Sequence, residues 1–186
     1  MRIISGFLKG KKIEFLKSAT TRPIRDFVKE NIFNIIEHTN LIKIKLKNSN
    51  ILDLYSGVGS FGIECISRGA KKTIFVENDS KALITLKKNI KDLKINGQTE
   101  VFNTKIISFF SKLNHKDKFE IIFLDPPFAE KIFIEELKIM KNSAIYKKNH
   151  LIIIHREKKS DDQCEKIINV ILTKIYGRSK IIFGFF

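Results

Sequence analysis

From residue 50 onward, short apolar runs alternate with segments in which apolar positions recur every three to four residues. The first pattern predicts buried strands and the second amphipathic helices. Strands are expected over 50–54, 73–76, 100–103, 119–124 and 151–154, and helices over 60–67, 80–93, 106–113 and 130–140. Leu83, Leu86, Ile90 and Leu93 fall on one face of the second of these helices. The run 119–124 (FEIIFL) is apolar almost throughout, as expected of a central strand covered on both faces. Regular alternation of strand and helix implies a mostly parallel sheet with helices on both faces. The tail breaks the rhythm, because 167–176 and 180–186 around Gly177 predict a terminal antiparallel hairpin.

The first 48 residues read as an extension to the main domain over 49–186. Residues 2–4 and 11–15, around Gly6 and Gly10, predict a short basic β-hairpin. Thr20-Thr21-Arg22-Pro23 then reads as a helix start, with a Thr as cap and Pro in the first turn. Val28, Ile32, Ile35 and Ile36 give that helix an apolar face ending near His38, with Arg25, Lys29 and Glu30 expected on its polar side. The lysine-spaced segment 43–47 reads as a solvated connection.

Composition narrows the class. In 186 residues, 35 Lys and Arg face 20 Asp and Glu, a formal charge of +15 that points to a polyanionic partner, nucleic acid first. Only six of the basic residues are Arg, so part of the lysine excess reflects compositional bias rather than binding. No apolar run is long enough for a membrane helix, and the opening MRIISGFLKG lacks the apolar stretch of a secretory signal. Cys65 and Cys164 form neither a disulfide framework nor a zinc motif, and the four histidines share no metal-ligand spacing. A monomeric cytoplasmic protein with free thiols and no metal is expected.

In open parallel sheets, ligands bind beyond the carboxyl ends of the strands. Every chemical motif of this chain falls there. Asp53 closes the first strand and leads into Tyr55-Ser56-Gly57-Val58-Gly59-Ser60-Phe61-Gly62, a glycine-rich turn before a helix whose first amides are expected to face an anionic group. The glycines satisfy GxGxxG, which admits NAD as well as an adenosine cofactor of another kind. Glu77, at the end of the second strand, suits the ribose hydroxyls of either. Asp125-Pro126-Pro127-Phe128 decides between them. Two prolines remove the N–H donors and leave carbonyls beside a carboxylate and an aromatic ring. Such a site accepts N–H donors from a flat group stacked on Phe128, as in the exocyclic amine of a nucleobase.

Asp-x-Tyr-x-Gly-x-Gly-x-x-Gly, a strand-end Glu and Asp-Pro-Pro-Phe together resemble the class I S-adenosylmethionine-dependent amino-methyltransferases, a Rossmann-like α/β fold. Residues 2–6, 9–12, 21–34 and 63–70 are similar to the RsmD family, which methylates the N2 amine of a guanine in 16S ribosomal RNA. The resemblance implies S-adenosylmethionine as cofactor, and 16S rRNA or a small-subunit particle as partner. It implies that Asp53, Gly57 and Gly59 serve the methionine end of the cofactor and Glu77 its ribose, with Tyr55 also at the cofactor site. Asp125 and the Pro126 carbonyl would accept the amine protons, with Phe128 stacked on the guanine. Relatives that carry Asn in place of this Asp make acceptance, rather than removal, of the proton the expected role. Arg22, Arg25 and Lys29 are the candidates for rRNA phosphates. Where relatives place an Asp or Asn for the adenine amine, this chain has Lys105, which cannot accept that bond, so Asn103 or a backbone carbonyl is the alternative. Three other classes compete: a DNA amino-methyltransferase, an NAD-dependent oxidoreductase and a ribosome-assembly module without catalysis.

Overall fold

The computed structural model describes residues 1–16, 24–113 and 118–186. In chain order its elements are α1 (Asp26–His38), β1 (Asn50–Leu54), α2 (Ser60–Ser67), β2 (Lys72–Glu77), α3 (Ser80–Asp92), β3 (Thr99–Asn103), α4 (Ile106–Phe110), β4 (Phe119–Leu124), α5 (Phe133–Ser143), β5 (Tyr146–Glu157), β6 (Asn169–Tyr176) and β7 (Ser179–Phe185). They form one seven-stranded sheet in the order β3-β2-β1-β4-β5-β7-β6. The first five strands run parallel, and β7 enters antiparallel between β5 and β6. The direction of winding reverses between β1 and β4, so a crevice opens there at the carboxyl ends. Leu54 pairs with both Val76 and Leu124, which brings Asp53, Glu77 and Asp125 to one rim.

Strand alternation divides the core. Leu52, Leu54, Ile122 and Leu124 face Phe109, Phe133 and Leu137 of α4 and α5. Ile51, Ile121 and Phe123 face α1 and α2, where Phe33, Phe61 and Phe123 stack with ring centroids 5.2 and 4.0 Å apart. Asp53 lies on this second side, under the start of α2, where its Oδ2 accepts from the Gly62 amide.

Several expected boundaries move. β5 extends beyond the apolar 151–154 at both ends, because His155, Arg156 and Glu157 pair with Ile181, Lys180 and Ser179 of β7. Ladder hydrogen bonds, not hydrophobicity, define that end. The N-terminal hairpin is reduced to a bridge between Arg2 and Lys12. α1 begins at Asp26 with Arg25 as its cap residue, three residues after Pro23. The expected cap at Thr20–Pro23, with Arg22, lies outside the described residues. Among the described residues, no helix is long and apolar enough to cross a membrane.

Lys29 is the clearest correction. It was expected on the polar side of α1, yet it is fully buried. Its Nζ lies 3.3 Å from Ser60 Oγ, 3.2 Å from the Arg2 carbonyl and 3.5 Å from Glu64. Burial lowers its pKa, and the Glu64 charge opposes that shift. Glu64 also accepts from the amides of Ile4 and Ser5 and from Arg68. The lysine therefore ties the N-terminal segment and α1 to the start of α2, and it does not face RNA. Its spacing from Ile32, Phe33 and Ile36 puts it on the apolar face, since positions i+3, i+4 and i+7 share one side of a helix. Arg25 is exposed, as expected.

Candidate active site

The turn after β1 is held from within. Tyr55 takes the left-handed conformation (φ +58°), as do Gly57 (+54°) and Gly59 (+85°). A Cβ on Gly59 would lie 2.4 Å from Leu86 Cδ1, so this glycine is needed for helix packing, whereas Gly57 has open space where its side chain would be. Three amides of the turn and the first helical turn are engaged within the chain. Gly57 N–H donates to Glu77 Oε2 at 2.7 Å, Gly59 N–H to the Ser56 carbonyl at 2.8 Å and Gly62 N–H to Asp53 Oδ2 at 2.9 Å. Of these, only the Gly62 amide belongs to α2.

Those acids dominate the crevice. Asp53 is 1% exposed and its Oδ1 is buried without a partner among the described residues. Burial pushes its carboxyl well above the usual range; the Gly62 amide opposes the shift, and Asp125 and Glu77 add to it. Glu77 also accepts from the amides of Asn78 and Asp79, at 2.8 Å each. A cavity of about 170 Å³ opens beside it, lined by Tyr55, Glu77, Lys105, Ile107, Glu130 and Glu136, among others. Tyr55 Oη donates to Glu136 Oε2 at 2.5 Å, and burial raises the pKa of both groups. A protein of charge +15 thus concentrates carboxylates at its one topological switch point. Such a field favours a cation and disfavours the pyrophosphate of NAD. The orphaned Asp53 oxygen, the opening at Gly57 and the strand-end Glu77 fit S-adenosylmethionine, whose sulfonium and ammonium groups are positive. Lys105 lines the cavity as well, while Asn103 is not among the lining residues. A larger depression of about 640 Å³, lined by Lys43, Lys45, Lys118, Lys147 and Lys148 among others, lies at the amino ends of β4 and β5, away from this chemistry.

Asp125, Pro126 and Phe128 follow β4 across the crevice. The carbonyls of Pro126 and Pro127 are not free, contrary to expectation. Arg156, 1% exposed on β5, donates through Nη1 to the carbonyls of Pro126 (3.3 Å) and Pro127 (3.0 Å). Its Nη2 donates to those of Phe128 (3.0 Å) and Glu130 (3.1 Å). Asp162 receives Nε at 2.8 Å, and the guanidinium lies 4.4 Å from the Phe133 ring centroid. The long contact to Pro126 still leaves that oxygen a second lone pair. Asp125 keeps 22% side-chain exposure, and its Oδ1 lies 2.8 Å from His155 Nδ1.

The structure brings Asp53, Tyr55, Gly57, Gly59, Glu77, Asp125, Pro126 and Phe128 to one rim, while Lys29 is buried against Ser60 and Glu64. Sequence reasoning missed Arg156 and His155. Both sit at the end of the strand next to β4, and that adjacency is the one signal that could have found them. Cys164 is buried, and burial with Asp162 and Glu165 nearby raises its thiol to about 11.

Asp53→Asn is expected to weaken cofactor binding roughly tenfold or more while stabilising the ligand-free protein. The sign follows from linkage: a carboxyl whose folded pKa is raised contributes stability at low pH that is lost as pH rises through that pKa. The variant should therefore lose the decline in melting temperature that accompanies rising pH, which calorimetry across a pH series would register. A variant with an unaltered pH profile and unaltered cofactor affinity would exclude this role.

The family model described as conserved hypothetical protein 95 matches residues 1–184. The chain is 37% identical over 157 residues to a ribosomal RNA small subunit methyltransferase D of Buchnera aphidicola, covering 84% of this chain and 78% of the relative. It is 35% identical to the protein of the same name in Haemophilus influenzae, over 85% of this chain and 79% of the relative. A solved Escherichia coli structure, provisionally assigned as the methyltransferase yhhF, superposes with a TM-score of 0.81 at 25% identity, covering 100% of this chain and 97% of that one.

Proposed function

Because the chain belongs to the family described as conserved hypothetical protein 95, the RsmD family of the sequence resemblance, we propose that it methylates the exocyclic N2 amine of a guanine in 16S rRNA, with S-adenosylmethionine as donor. The observation that carries the reading is the pairing of an acid-lined crevice after β1 and β2 with Asp125-Pro126-Pro127-Phe128 after β4, at one switch point. S-adenosylmethionine, when bound, supplies an activated methyl group on a sulfonium. Asp53, Gly57 and Glu77 are the residues that would hold it, with Tyr55 at the same cavity and Gly59 shaping the turn.

The amine of guanine is a weak nucleophile because its lone pair is delocalised into the ring. What the chain adds is alignment and acceptance of the amine protons. Asp125 and the Pro126 carbonyl accept N–H bonds that strengthen as the nitrogen becomes pyramidal, which favours the transition state over the ground state. Phe128 offers a ring for stacking on the base. A guanine in a duplex must be extruded to arrive there, at a cost of a few kcal/mol. The 1–48 extension meets the RNA through the exposed Arg25, with Arg22 as a further contact.

The test is methyl transfer from labelled S-adenosylmethionine to unmodified small ribosomal particles, free 16S rRNA and duplex DNA, with product nucleosides identified by mass spectrometry. N2-methylguanosine from rRNA supports the proposal. A different methylated nucleoside in rRNA would leave an rRNA methyltransferase of another specificity. Label in DNA alone would replace rRNA by DNA as substrate.

A further inference from the structure

We propose that His155 is a positioning residue of the methyl-transfer site, orienting the Asp125 carboxylate and making its competence depend on the protonation of the imidazole. The inference rests on the reading of Asp125 as acceptor of the amine protons. His155 lies near the end of β5 and is 4% exposed. Nδ1 is 2.8 Å from Asp125 Oδ1, Nε2 is 2.9 Å from Ser179 Oγ, and the ring meets Phe128 edge-on with centroids 5.5 Å apart. A buried ring held at both nitrogens has one orientation. Three elements converge on it: the loop after β4, β5 itself, and the first residue of β7.

The hydrogen-bond roles follow from the chemistry of the partners. An ionised carboxylate only accepts, so Nδ1 carries the proton toward Asp125, and Nε2 then accepts from the Ser179 hydroxyl. With Oδ1 engaged, Oδ2 is the oxygen left for the amine. Fixing the carboxylate in one rotamer keeps the acceptor aligned before substrate arrives. Protonation of the imidazole would reverse the Ser179 bond and set a full positive charge against Oδ1. That charge draws on the same electron density the amine protons need, so turnover falls as His155 becomes charged.

The charged and titratable surroundings are few. Asp125 faces the ring from the loop after β4, and Asp53 of β1 is electrostatically coupled to Asp125. Ser179 of β7 is neutral. On β5 the neighbouring Arg156 is turned to the loop carbonyls, and Glu157 is paired with Arg178.

The experiment compares wild type, His155→Ala and His155→Asn by kcat, KM and pH profile on small ribosomal particles, with the imidazole tautomer read independently by ¹⁵N NMR. His155→Ala is expected to lower kcat by up to about a hundredfold with both KM values nearly unchanged, as a misaligned acceptor would. His155→Asn places an amide N–H near the position of Nδ1, so it should recover most of kcat and lose the acid limb that imidazole protonation causes. NMR should show the Nδ1–H tautomer in wild type and its loss of preference in Asp125→Ala. An unchanged kcat and pH profile in both variants, or an Nε2–H tautomer in wild type, overturns the proposal. A wild type that methylates no RNA overturns the methyl-transfer reading instead, and the NMR arm then still decides whether the pair exists.

Discussion

Replacing Arg156 by alanine is expected to cost about 3–5 kcal/mol of stability, the range for breaking a buried ion pair from one side. One side chain satisfies four loop carbonyls and both oxygens of Asp162 while lying against Phe133. Alanine leaves those buried acceptors without their donor. For a chain of this length the melting temperature should fall by roughly 10 °C or more. Lysine should rescue little, because one ammonium cannot reach acceptors spread over a fork. Among molecules that remain folded, methyl transfer should drop by about a hundredfold through misplacement of Asp125-Pro126-Pro127-Phe128. Cofactor affinity should hold, since Asp53 and Glu77 lie on β1 and β2. Acid should also act differently on the variant. Burial tends to raise the Asp162 carboxyl, yet Arg156 holds it below its usual range, so its contribution is present at neutral pH and lost as pH falls through that depressed value. Without Arg156 that acid-labile increment disappears. Equal melting curves for the two proteins would refute the account.

Asp125→Ala is the second large effect. Removing a preorganised acceptor aimed at developing charge is expected to lower kcat by about 10²–10³, with S-adenosylmethionine affinity within a few-fold of wild type. Asp125→Asn separates acceptance from proton removal, because its carbonyl still accepts but cannot serve as a base. Retention of most activity in Asn and loss in Ala supports acceptance; equal loss in both makes Asp125 a base. An independent readout accompanies the kinetics. The charge of Asp125 is among the causes that raise the Asp53 carboxyl, so Asp53 should titrate lower in either variant. Single-turnover kinetics on ribosomal particles and titration of the ligand-free protein measure the two effects separately.

Most strands and helices of the main domain were legible because each must bury a continuous apolar face, and that need writes a period into the chain. Asn50–Leu54 and Phe119–Leu124 emerge with their expected bounds for this reason. Polar pairing is less visible. The carboxyl end of β5, His155-Arg156-Glu157, reads as a polar segment after an apolar strand, yet ladder bonds to β7 carry it into the sheet. Lys29 shows the same blindness from the other side: a lysine signals solvent in composition, and only the partners Arg2, Ser60 and Glu64 explain its burial.

The division between the two sources of information has a physical basis. Asp53, the glycine turn, Glu77 and Asp125–Phe128 are each local: a strand end, a tight turn and a stiff proline pair are set by neighbours a few residues away, so the amino-acid sequence by itself determined them and the class of chemistry they suit. What holds them depends on residues distant in the chain. Arg156 reaches carbonyls 26 to 30 positions earlier, and His155 reaches Asp125 30 positions back and Ser179 24 ahead. Nothing in local spacing marks such partners. Only the tertiary structure, by laying β5 beside β4 and β7, decided which arginine clamps the loop and which histidine holds the acceptor.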